Sequence, residues 1–218
     1  MTVDALVFDA YGTLYDVHSV MRRCESCFPG KGAQLSQLWR AKQLEYTWQR
    51  SLMQRYVPFS TVTREALAYS CAALQLDLSV QLMEALMSEY LALAPFPEVP
   101  DALGRLSMKK AILSNGSPDI LEPLVRQSGL RFDAVISVDE LKIYKPAPQV
   151  YELAVRRLDT PKERIGFVSS NCWDALGARS YGFRVYWINR AGAPVDRLGF
   201  MPDAQLQTLA ELSDEVLR

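Results

Sequence analysis

The sequence predicts an α/β fold in which a parallel sheet, covered by helices on both faces, carries a helical insertion after its first strand. Three observations point there. Five short apolar runs rich in β-formers are spread along the chain: Ala5-Leu6-Val7-Phe8, Ala111-Ile112-Leu113, Ala134-Val135-Ile136, Ile165-Gly166-Phe167-Val168 and Arg184-Val185-Tyr186-Trp187-Ile188. From the second run onward, helical patterns alternate with them at βα spacing, as a sheet buried on both sides requires. Between the first and second runs the texture changes: residues 17–93 are helical in pattern, rich in Leu, Met, Ala and Gln, and almost free of glycine after Gly32. The arrangement is a doubly wound, Rossmann-like core of residues 1–15 and 96–218 with a helical cap of residues 16–95. Inserted after strand one, the cap lies over the carboxyl edge of the sheet as a lid.

Each element has its own signals. The cap contains a helix over about residues 34–56 with two apolar stripes. Leu35, Leu38, Trp39, Tyr46 and Met53 form one; Leu44, Trp48 and Leu52 form the other, with Arg40 one turn before Leu44 on that face. An arginine on an apolar stripe either snorkels to solvent or points into a pocket. Pro95, Pro97 and Pro100 mark a stiff return to the core. Ser117-Pro118 starts a helix that Gly129 stops, and Pro148 opens another that runs through Tyr151 and Leu158. The tail over residues 203–217 is periodic enough for a final surface helix.

Composition narrows the function. The 218 residues suffice for one good-sized core with an insertion. A net charge of -1 gives no reason to expect nucleic acid or an anionic membrane as partner. With no spanning apolar stretch and no leader-like start, a cytoplasmic location is expected. The four cysteines are too sparse for a disulfide scaffold. Cys24 and Cys27 form a lone CxxC beside His18, the one histidine, which reads as thiols on a helix rather than a zinc or redox site. A homodimer is expected through the Trp39–Tyr46 stripe, unless that stripe packs inside the lid.

Four polar clusters fall at or just beyond the ends of the predicted strands: Asp9 with Thr13, Ser114-Asn115, Lys145, and Ser169-Ser170-Asn171 leading to Asp174. Singly, these could be a helix cap, a turn and a solvated lysine. In a parallel sheet they converge on one edge, where open α/β sheets bind and transform ligands.

Through Asp9-Ala10-Tyr11-Gly12-Thr13, Leu113-Ser114-Asn115-Gly116, Lys145-Pro146 and Ser169-Ser170-Asn171-Cys172-Trp173-Asp174, the chain resembles the haloacid dehalogenase superfamily over nearly its whole length. Tyr11, the Ser-Ser-Asn-x-Trp-Asp run and Arg40 make it look most like the bacterial (S)-2-haloacid dehalogenases. It departs from the phosphatase relatives at two places. Tyr11 stands where they carry a general acid–base Asp, and Ser169-Ser170 stand where they carry a Gly-Asp magnesium ligand. Phosphoryl transfer needs a cation for the phosphate oxygens, whereas halide is a weak base and leaves without a proton. No cofactor and no metal is therefore expected.

The resemblance implies a small 2-haloacid substrate and assigns roles. Asp9 attacks C2 to form an ester, Lys145 keeps Asp9 ionised, and Asp174 activates the water that hydrolyses the ester. Arg40 and Asn115 receive the halide between apolar walls from Tyr11, Leu44, Phe59 and Trp173. Ser114 and the N–H groups of Ala10 and Tyr11 hold the substrate carboxylate. Thr13, Tyr151, Ser169 and Asn171 order the reacting groups. A phosphatase, a phosphonatase using Lys31 or Lys42 of the lid, and a non-catalytic binding protein are the alternatives.

Overall fold

The computed structural model describes residues 3–216. Six parallel strands stand in the order β3-β2-β1-β4-β5-β6: β1 (Ala5–Phe8), β2 (Lys109–Ser114), β3 (Ala134–Ser137), β4 (Ile165–Ser169), β5 (Arg184–Ile188) and β6 (Ala204–Leu206). All of β1 is buried, which explains its unbroken apolar run: a strand covered on both faces has no side for polar residues. Burying side chains such as Leu6 and Phe8 contributes about 1.5–3 kcal/mol each. Gly166 is small for a reason of packing, since a Cβ there would lie 2.7 Å from Leu6 Cδ2 and 2.9 Å from the Tyr186 ring.

The predicted strands are all present. The register pairs Phe8 with Ile112 on one side and with Val168 on the other, so these strands end level with one another. Chain order reverses about β1, and there the crevice of a doubly wound sheet opens.

Four helices lie between β1 and the return to the sheet: α1 (His18–Cys27), α2 (Gly32–Leu52), α3 (Phe59–Ala73) and α4 (Val80–Ser88). The two linkers run side by side. Asp16 N–H donates to the Ala94 carbonyl at 2.8 Å and Phe96 N–H to the Leu14 carbonyl at 3.0 Å. Cap and core also meet directly: Tyr56 Oη donates to Asp139 Oδ1 at 2.7 Å, Tyr144 Oη to the Val57 carbonyl at 2.7 Å, and Ser60 N–H to Ser117 Oγ at 3.2 Å. Past the cap come α5 (Val99–Gly104), α6 (Pro118–Ser128), α7 (Pro148–Leu158) and α8 (Cys172–Tyr181). Proline at the first turn and left-handed Gly129 bound α6 at the predicted positions.

Three expectations need correction. The tail is not one helix: residues 204–206 add an edge strand, and only α9 (Leu212–Val216) is α-helical, with Leu217 outside the described residues. The cap helix stops at Leu52, because Gln54 turns to φ 56°. Its buried stripe is Leu35, Trp39, Gln43 and Thr47, while Met53 is 60% exposed. Trp39 is enclosed within the cap, donating Nε1–H to the Thr63 carbonyl at 2.8 Å and standing edge-on to Tyr90. It forms no outer surface for a second copy, and Tyr46 packs edge-on against Tyr69. Among the described residues no helix is long and apolar enough to cross a membrane.

Candidate active site

Asp9 follows the last residue of β1 and is 6% exposed. Its Oδ2 accepts from Thr13 Oγ1 at 2.9 Å and from Asn171 Nδ2 at 2.8 Å. Among the described residues its Oδ1 accepts from Lys145 Nζ alone, at 3.2 Å. The turn behind Asp9 closes on the Ala10 carbonyl, which accepts the N–H groups of Thr13, Leu14 and Tyr15. The N–H groups of Ala10 and Tyr11 take part in no backbone hydrogen bond among the described residues.

Lys145 is buried between two carboxylates, its Nζ 3.2 Å from Asp9 and 2.9 Å from Asp174 Oδ2. Burial disfavours its charge, but Asp174 and Asp9 outweigh this and hold the ammonium above its ordinary pKa. One cation cannot compensate two buried anions equally. Asp174 is fully enclosed, and burial pushes its pKa up to about 6, with Lys145 opposing and the Asp9 charge adding to the rise. Asp174 is further held by Tyr151 Oη at 2.9 Å and Ser169 Oγ at 3.2 Å. Ser169 also accepts the Asn171 N–H at 3.1 Å, which fixes the loop leading into α8.

The cap supplies Arg40. Its Nη2 reaches Asn171 Oδ1 at 3.4 Å, and its Nη1 donates to Gln43 Oε1 at 2.6 Å. Gln43 donates in turn to Thr63 at 2.7 Å. This buried chain orients the guanidinium toward the core, so Arg40 does not snorkel. Asn115 sits beyond β2, its Oδ1 accepting the Lys145 N–H at 3.0 Å. Ser114 is buried, its Oγ accepting the Gly116 N–H at 3.0 Å.

Aromatic rings wall the site. Tyr11 stacks on Phe59 at 5.9 Å and meets Tyr90 edge-on at 6.0 Å, while Trp173 meets Trp48 edge-on at 5.6 Å. Tyr11 Oη and Trp173 Nε1 are buried with no hydrogen-bond partner among the described residues. Burial, with Tyr90 and Asp9 nearby, raises the Tyr11 pKa, so it remains a neutral donor. Leu44 lines, with Arg40, Asn171 and Trp173, a cleft of about 470 Å³ between cap and core. That lining brings Leu44 and Arg40 of the cap together with Asn171 and Trp173 of the core.

Among the described residues no three of His, Cys, Asp and Glu are grouped to hold a metal ion. A family model for haloacid dehalogenase-like hydrolases matches residues 3–182. The chain belongs to this family. It is 50% identical to an (S)-2-haloacid dehalogenase of Pseudomonas sp. (strain YL) over 95% of this chain and 91% of that one. A solved L-2-haloacid dehalogenase superimposes with a TM-score of 0.98 at 45% identity, covering 100% of both chains. The Xanthobacter autotrophicus L-2-haloacid dehalogenase, solved with chloropropionic acid covalently bound, superimposes with a TM-score of 0.92 at 39% identity, covering 99% of each chain.

Two residues of this hydrolase went unnoticed in the sequence. Gln43 orients Arg40 from a helix face that looks merely amphipathic. Arg190 contacts the carbonyls of Gly12 and Thr13. The strand-end rule applied to the fifth run, Ile188-Asn189-Arg190, would have found it.

Proposed function

We propose that this enzyme hydrolyses (S)-2-haloalkanoic acids to (R)-2-hydroxyalkanoic acids and halide through an ester on Asp9. The observation that carries the reading is the Asp9–Lys145–Asp174 cluster. A single ammonium bridges two carboxylates whose surroundings differ, which separates a nucleophile from a base.

In the first step Asp9 Oδ1, held by Lys145 and by no other described residue, attacks C2 in line with the carbon–halogen bond. The C–O bond forms as the C–X bond breaks, the halide leaves with the electron pair, and C2 inverts. Arg40 and Asn115 receive the halide, and Ser114 with the Ala10 and Tyr11 N–H groups holds the substrate carboxylate. The unpartnered donors of Tyr11 and Trp173 support an anionic ligand, since each would otherwise stay unsatisfied at a cost of about 1–3 kcal/mol. The cap excludes water and leaves the nucleophile poorly solvated.

In the second step Asp174 takes a proton from water, and the hydroxide oxygen adds to the Asp9 carbonyl carbon. Collapse breaks the ester C–O bond: the departing alkoxide takes one water proton back from Asp174, and the other, left on the Asp9 carboxyl, is released to solvent as the carboxylate re-forms. The oxyanion in between forms on Oδ2, where Thr13 and Asn171 donate, while Lys145 at Oδ1 faces the departing alkoxide.

Metal-dependent phosphoryl transfer is disfavoured by the donor set. Lys145 Nζ stands between Asp9 and Asp174, and Ser169 and Ser170 offer no charge. An imine-forming lid lysine is disfavoured too, because Lys31 is exposed and Lys42 pairs with Glu45 at 2.8 Å. The test is halide release from each enantiomer of 2-chloropropionate with EDTA present. The (S) acid should be consumed to (R)-lactate while the (R) acid persists. Silence toward both enantiomers, with magnesium-dependent release of phosphate from a phosphomonoester, would overturn the reading.

A further inference from the structure

Arg190 has no part in the chemistry above, yet its guanidinium gathers groups from separate stretches of chain. Nη1 donates to the Gly12 carbonyl at 3.1 Å, and Nη2 donates to the Thr13 carbonyl at 3.1 Å and to Glu98 Oε1 at 2.8 Å. The guanidinium carbon lies 3.8 Å from the centroid of the Phe96 ring. Gly12 and Thr13 form the turn behind Asp9. Phe96 and Glu98 begin the return from the cap, and the Phe96 N–H is bonded to the Leu14 carbonyl at 3.0 Å. The Arg190 and Glu98 side chains are each 23% exposed, so these charge-assisted contacts are largely shielded from water.

We propose that Arg190 is a positioning residue for the nucleophile: it clasps the Gly12–Thr13 turn to the cap's return linker and so holds Asp9 through Thr13. The proposal rests on the reading of Asp9 as nucleophile. Thr13 Oγ1 accepts the Ser170 N–H at 2.8 Å and donates to Asp9 Oδ2 at 2.9 Å, so the place of the turn sets the rotamer of the carboxylate. Backbone bonds to the Ala10 carbonyl close the turn but do not engage the Gly12 and Thr13 carbonyls. Gly12 has φ 83°, a conformation that glycine adopts freely and leaves as freely. Two outward carbonyls bound by one planar cation supply the missing constraint. The same cation stacks on Phe96 and pairs with Glu98, so displacement of the return linker is passed to the turn. Lysine carries the charge but cannot fork to two carbonyls while lying flat on a ring.

The experiment compares wild type, Arg190→Lys and Arg190→Ala in single-turnover halide release from (S)-2-chloropropionate, in steady-state kinetics, and in amide hydrogen exchange. Arg190→Lys should slow first-turnover halide release by about tenfold or more, because attack geometry is lost. KM should stay within about twofold of wild type, since the halide and carboxylate contacts remain. The Thr13 and Leu14 amides should exchange faster, while those of α7 should not. Guanidinium sulfate should restore part of the rate lost in Arg190→Ala; if that variant does not fold, Arg190→Lys decides alone. Wild-type first-turnover rates in Arg190→Lys, or a loss that only follows the melting temperature, would overturn the proposal. Should the wild type release no halide, the functional reading fails, and the exchange measurement still judges the clasp.

Discussion

Asp9 and Asp174 share one ammonium, and what separates them is enclosure. Asp9 faces the cleft and gives one oxygen to Thr13 and Asn171, while Asp174 is sealed behind Tyr151 and Ser169. Asp9→Asn keeps the shape but not the charge, and halide release should fall below about one part in a hundred of wild type. Arg40→Ala should raise the barrier to halide release by about 2–4 kcal/mol, because its contact strengthens as the anion departs. An unchanged rate would return Arg40 to a surface role. Asp174 gives a pH dependence whose sign can be worked out. Its pKa rises from 3.8 to about 6, so its contribution to stability is fully present below about pH 4 and is lost as pH rises through 6. Activity runs the other way, because the base must be ionised. In the ester Asp9 carries no charge and its share of the rise is gone, so ester hydrolysis, followed after rapid alkylation, should decline only as pH falls below about 6. A rate that stays flat until the protein unfolds in acid would remove Asp174 from that step.

Among the elements, α8 has to approach α7 closely for Tyr151 to reach Asp174. Gly177 permits this, since a Cβ there would lie 2.6 Å from Tyr151 Oη and 2.6 Å from Pro146 Cβ. In an open helix, glycine to alanine gains about 1 kcal/mol. Here Gly177→Ala should instead cost about 1–3 kcal/mol in urea unfolding and slow ester hydrolysis by moving the Tyr151 hydroxyl. Greater stability at full rate would refute that account. Elements of this kind differ in how plainly the sequence announces them. The four inner strands are legible because a strand buried on both faces must be apolar, and their polar endings mark the site; β3, at one edge, is legible from its Ala-Val-Ile run. The edge strand Ala204–Leu206 is not, because three residues with one exposed face carry almost no periodicity. Helix α2 packs against both α1 and α3, so its apolar residues face several ways and its stripes mislead. Gln43 lies on the buried side, where only the finished hydrogen-bond chain explains it, and Thr47 one turn on donates its hydroxyl to the Leu44 carbonyl.

For the molecule as a whole, the two-step route makes a claim that direct hydrolysis does not. In a single turnover in H₂¹⁸O with enzyme in excess, label should enter Asp9 and be absent from the hydroxy acid. Labelled product with unlabelled Asp9 would mean that water attacks carbon and Asp9 is only a base. The sheet order carries a further consequence, for synthesis rather than chemistry. β1 is the first strand made and the central one, yet its neighbours come from residues 109–112 and 165–168. At about 5–20 residues per second, its second edge waits roughly ten to thirty seconds for a partner. Through that interval four apolar residues in extended conformation offer unpaired N–H and C=O groups to any passing chain. A polypeptide ended before β4 should therefore aggregate on release, while the full chain refolds from denaturant. The nucleophile is translated first and becomes usable last.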